Sequence, residues 1–66
     1  MEVSVNGTQR TVPAKLSVLN LLRHLEIDPE RVAVELNRQI VRQPHWTTTE
    51  VPPGSTLEIV QFVGGG

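Results

Sequence analysis

The residues with the clearest chemical possibility are the last three, Gly64-Gly65-Gly66. A terminal glycine carboxylate has no side chain beside it, so crowding at its carbonyl is minimal. Such a carboxylate can be activated by ATP as an acyl-adenylate. A sulfur nucleophile can then attack it, leaving a thiocarboxylate on Gly66. Three extended glycines span roughly 10 Å, enough bare backbone to thread a narrow channel in another protein. Glycine-rich chain ends also occur as inert, mobile termini, so the residues of the tail leave both readings open.

The rest of the chain offers little competing chemistry. It has 66 residues and no cysteine, which excludes a disulfide, a thiolate metal site and a persulfide held on a side chain. His24 and His45 are its two histidines, too few for a histidine-based metal cage. Ser17 has no histidine and acid arranged to make it a nucleophile. Seven acidic residues stand against six basic ones, for a net charge of −1, and neither sign is clustered. That balance lacks the basic stripe of a nucleic-acid binder. No apolar run approaches the roughly 20 residues of a membrane span. Met1 to Val5 also lacks the basic start and apolar stretch of a signal peptide. A cytoplasmic protein with no nucleic-acid or membrane partner, no metal, no bound cofactor and no catalytic residues of its own is expected.

The elements that must present the tail follow from periodicity and turn chemistry. Met1, Val3 and Val5 alternate with Glu2 and Ser4, the period of a half-buried strand. Asn6-Gly7 then predicts a hairpin, because a type I′ turn needs positive φ at both central residues. Thr8 to Val12 is the returning strand, ended by Pro13. A two-residue turn places Arg10 on the same side as Val3, so Arg10 is expected at the sheet rim, or the turn is longer. Leu16 to Leu25 reads as a helix, with Ser17 as N-cap and Leu16 and Leu21 at the spacing of a hydrophobic staple. Asp28-Pro29 is expected to stop it. Val32 to Leu36 is a strand, Asn37-Arg38 a turn and Ile40-Val41 a short partner strand. Pro52-Pro53-Gly54 is a turn, and Thr56 to Val63 is the last strand. One helix on one face of a small mixed sheet is an α+β solution, with residues 1–63 as the domain and 64–66 as a flexible tail.

In the last strand Leu57, Ile59 and Val63 share the side facing the helix, and Glu58, Val60 and Phe62 share the other. Apolar residues on an open face just before the tail suit a docking surface, unless Trp46 or the 47–50 loop covers them. Glu58, Val60 and Phe62 are therefore the candidate partner-binding residues. Trp46 reads as a core residue whose N–H needs an acceptor.

Several segments, in this order, resemble the ThiS family of ubiquitin-like sulfur carriers. Ser17-Val18-Leu19-Asn20-Leu21-Leu22 is similar to its Thr-Val-x-x-Leu-Leu helix. Val34-Glu35-Leu36-Asn37-Arg38-Gln39-Ile40-Val41 resembles its strand ending in Asn with the following Ile-Val pair. Trp46 sits where some members carry tryptophan, and Gln61-Phe62-Val63 before glycines resembles the family's ending. Gly65 and Gly66 match its di-glycine end, and Gly64 is one glycine more. The resemblance implies a β-grasp fold of about five strands, with first and last strands parallel in the centre. It also implies that Gly66 is the site of adenylation and thiocarboxylate formation, with Gly64, Gly65 and Gly66 threading a partner's active site. The implied partners are a ThiF-like adenylating enzyme that uses ATP, a sulfur donor of the cysteine desulfurase pathway and a ThiG-like thiazole synthase. Molybdopterin-type carriers, ubiquitin-like modifiers and plain β-grasp interaction modules are the alternatives with related folds.

Overall fold

The computed structural model describes residues 1–62; Val63 and the three glycines lie outside the described residues. Five strands form one mixed sheet in the order β2-β1-β5-β3-β4. They are β1 (Glu2–Val5), β2 (Thr8–Thr11), β3 (Val32–Leu36), β4 (Gln39–Val41) and β5 (Thr56–Gln61), with one helix, α1 (Val18–His24), between β2 and β3. β1 runs parallel to β5, while the pairs β1–β2, β3–β4 and β3–β5 are antiparallel. This is the expected β-grasp arrangement, with the last strand in the middle.

Both hairpin turns are two residues long and carry positive φ throughout: 51° and 82° at Asn6 and Gly7, 50° and 71° at Asn37 and Arg38. That backbone twist matches the twist of the strands it joins. The short first turn puts Arg10 opposite Val3. Since β2 is an edge strand, Arg10 reaches water at the rim, as one of the two expectations required.

Inward-facing residues of three strands form a single core with the helix. Val3 and Val5, Val32, Val34 and Leu36, and Leu57 and Ile59 join Val18, Leu21 and Leu22. Val12, Trp46 and Val51 complete it. Alternation along β3, buried at every second residue, is the signature of a strand with one face covered.

Helix α1 begins as expected, with the Ser17 hydroxyl accepting from the Asn20 N–H at 3.1 Å. Its stop signal is not the expected one at Asp28-Pro29. The chain leaves the helix at Leu25, and Glu26 adopts φ 60°. The N–H groups of Glu26 and Ile27 donate back to the carbonyls of Arg23 and Leu22, at 3.0 and 2.9 Å. That is a Schellman closure made without glycine. Ile27 packs on the core, an apolar contact that offsets part of the cost of a left-handed Glu26. Asp28 instead caps a separate 3-10 turn at Pro29–Arg31, accepting from the Glu30 N–H.

Candidate functional site

The face of the sheet opposite α1 is open, and the cross-strand register says which side chains share it. Glu35 lies opposite both Ile40 on β4 and Glu58 on β5, and Ala33 lies opposite Val60. Residues directly opposite one another project to the same side, so Ala33, Glu35, Ile40, Glu58 and Val60 form one surface. Phe62 follows just past β5. Ile40, Val60 and Phe62 are 77%, 61% and 55% exposed. Isolated exposed apolar residues mean little, but three large ones that flank β3 from β4 and from β5 and its exit make a patch.

The expected partner-binding residues are thus brought together: Glu58, Val60 and Phe62 lie in one run along β5 and its exit, all exposed. Trp46 does not cover them. It is buried, and its Nε1–H donates to the Val41 carbonyl at 2.7 Å, the acceptor that a buried indole needs. Gly64, Gly65 and Gly66 lie outside the described residues.

Ile40 and Glu35 are members of this surface that sequence alternation alone did not single out. β4 has only three residues, too few for a period to show. Glu35 joins Glu58 through strand pairing, a contact between residues far apart in the chain.

The strand that leads to the tail is held at several points. Asn6, in the first turn, acts as a substitute strand residue beyond the end of β1. Its side-chain amide donates to the Ile59 carbonyl at 3.0 Å, and its side-chain oxygen accepts from the Ile59 N–H at 2.7 Å. Asn37, in the second turn, does the same at the other end of β5. Its Oδ1 accepts from the Thr56 N–H at 2.9 Å, while its Nδ2 donates to the Ser55 hydroxyl at 3.3 Å. Ser55 is the buried polar residue of the core region, and its hydroxyl donates to the Pro52 carbonyl at 2.6 Å. At the exit, the Phe62 N–H donates to the Arg31 carbonyl at 2.7 Å. The described chain is therefore held as far as Phe62.

Charge at the strand positions of the open face is acidic, with Arg42 following just past β4. On the polar half, Glu2 accepts from the Thr11 hydroxyl at 2.5 Å and from the Gln9 amide at 3.0 Å. Those bonds, Thr11 first, hold its carboxyl below the ordinary range. Among the described residues, no group of three or more His, Cys, Asp or Glu side chains could hold a metal ion. No described helix is long and apolar enough to cross a membrane.

Known proteins share this arrangement. The chain is 41% identical over 66 residues to a thiazole synthase of Paramagnetospirillum magneticum, and covers 20% of that protein. It spans about a fifth of the length of the curated thiazole synthases it matches. It is 32% identical to the uncharacterized protein ycf40 of Pyropia yezoensis, covering all of this chain and 93% of that one. The crystal structure of the thiamine biosynthesis protein ThiS from Geobacter metallireducens superposes with a TM-score of 0.87 at 36% identity, with both chains covered in full. The sequence profile of the ThiS family matches residues 3–66, through the open face and on to the last glycine, and the chain belongs to that family.

Proposed function

We propose that the protein is a sulfur carrier for the thiazole ring of thiamine, working through the carboxylate of Gly66. The observation that carries this reading is the family match, which runs from β1 to Gly66. Thiamine-biosynthesis relatives support the carrier role and favour thiazole over molybdopterin. In this reading a ThiF-like enzyme presents ATP to the Gly66 carboxylate. A carboxylate oxygen attacks the α-phosphorus, pyrophosphate leaves, and Gly66 becomes an acyl-adenylate. A persulfide sulfur supplied through a cysteine desulfurase then adds to the carbonyl and AMP departs. A second thiol attacks the acyl disulfide so formed, leaving the thiocarboxylate on Gly66 and a disulfide on the donor side. The thiocarboxylate is delivered to a ThiG-like synthase. The relatives named thiazole synthase, which carry a segment like this chain within a longer one, support that partner.

This chain's own contribution is to present and dock rather than to catalyse. Glu58, Val60 and Phe62 dock the activating enzyme while Gly64, Gly65 and Gly66 extend into its active site, in the cytoplasm. ATP belongs to the partner, and the carrier binds no cofactor of its own.

Intact mass tests the proposal after incubation with a ThiF-like enzyme, ATP and a sulfur source, with a variant lacking Gly65-Gly66 alongside. Replacement of one oxygen by sulfur in the whole chain, absent from the truncated one, is the expected result. No mass change, with an enzyme shown to modify its own carrier, would overturn it.

A further inference from the structure

On the open face Glu35 and Glu58 stand directly opposite one another across β3 and β5. Side chains in that register have Cβ atoms about 5 Å apart, and like charges there oppose pairing of the strands. Among the described residues neither carboxylate has an ion-pair partner, the salt bridge being Arg31 with Asp28. Neither accepts a side-chain hydrogen bond, in contrast to Glu2 with Thr11 and Gln9. The strand positions of this face hold the acids Glu2, Glu35 and Glu58. The cation beside them, Arg42 just past β4, lines a neighbouring hollow with Ala33, Ile40 and Phe62 and, among the described residues, pairs with neither Glu35 nor Glu58. The two unpaired carboxylates flank an apolar hollow of about 200 Å³, lined also by Ala33, Ile40 and Val60.

We propose that this hollow receives an arginine of the ThiF-like adenylating enzyme, its guanidinium seated between Glu35 and Glu58. The inference rests on the carrier reading above and adds the chemistry by which the partner is recognised. A guanidinium is planar, always charged and carries five donors, so one group can bond both carboxylates, whereas a lysine ammonium is a compact point charge. The methylene stem of an arginine covers apolar surface as its head group pairs, which matches Ile40 and Val60 beside the acids. A second copy of this chain is the wrong occupant. A two-fold contact sets the same patch against itself, which would bring four carboxylates together, two from each copy. The repulsion tolerated in the free protein is relieved on docking, so the pair favours a cationic partner over every neutral one.

The test measures the affinity of the whole chain for the adenylating enzyme of the same genome, at low and at moderate salt. It compares wild type, E35Q/E58Q and, as a control for general charge, E2Q. The double variant is expected to bind about tenfold more weakly or worse, with a flatter salt dependence, while E2Q stays within about twofold. Its melting temperature should be no lower than that of the wild type, which separates lost recognition from lost folding. Unchanged affinity of E35Q/E58Q, an equal loss in E2Q, or a loss seen only toward the ThiG-like synthase would overturn the assignment. The carrier reading fails separately, if bound wild type releases no pyrophosphate from ATP. A wild type that does not bind the enzyme removes both.

Discussion

Neighbouring residues of β5 live in opposite surroundings. Leu57 is fully buried and Ile59 nearly so, in one cluster with Leu21 and Leu22. Val60, of the same chemical kind, is mostly exposed on the other side. Position relative to the helix, rather than hydrophobicity, separates them. An apolar residue on the covered face answers to folding, whereas one on the open face gains nothing until another molecule covers it. Burial and exposure are thus written on alternate residues of one strand.

Substitutions can break that division. Leu57→Ala should lower unfolding free energy by about 3 kcal/mol, since it removes buried methyl groups and leaves a cavity. Val60→Ala should change it by less than about 0.5 kcal/mol and instead raise the carrier concentration needed for half-maximal adenylation. Urea unfolding and pyrophosphate release measure the two effects. If Val60→Ala were as destabilising as Leu57→Ala, the open face would be part of the core and its docking role would fall.

A smaller effect sharpens the comparison at Asn6, whose amide serves neither face but the edge of the strand. Asn6→Gly keeps the left-handed turn and removes both bonds to Ile59. A loss of about 1–2 kcal/mol is expected, with faster amide exchange at Ile59. Exchange at Ile59 no faster than in the wild type would show that water or β1 replaces the clamp. Smallest is Arg38→Gly. It relieves a left-handed residue at φ 71°, about 1–2 kcal/mol, but adds chain entropy of roughly 0.5–1 kcal/mol. A net gain of about 0.5 kcal/mol in urea unfolding should result. A loss would mean that the Arg38 side chain contributes to the hairpin.

What could be read in the sequence was what is decided within a few residues. Asn6-Gly7 announces its turn because few residue types accept that backbone, and Ser17 announces the helix start because its hydroxyl reaches a nearby N–H. Alternation in β5 placed Val60 and Phe62 outside. The helix ends where expected, at Leu25, but its stop signal was hidden because Glu26 is left-handed without being glycine or asparagine. Glu35 and Ile40 went unnoticed because strand register, a long-range property, sets Glu35 between Ile40 and Glu58. The asparagine clamps on β5 were equally silent, since nothing near residue 6 names residue 59.

The central placement of β5 also has a mechanical consequence. The strand is bonded along both edges, to β1 on one side and β3 on the other. Force applied past Gln61 along the strand axis loads these bonds in shear, so that they must yield together. A hairpin pulled open from its end would instead lose its bonds one at a time. A pull on the end of β5 therefore hauls on the whole body of the protein, and the handle holds.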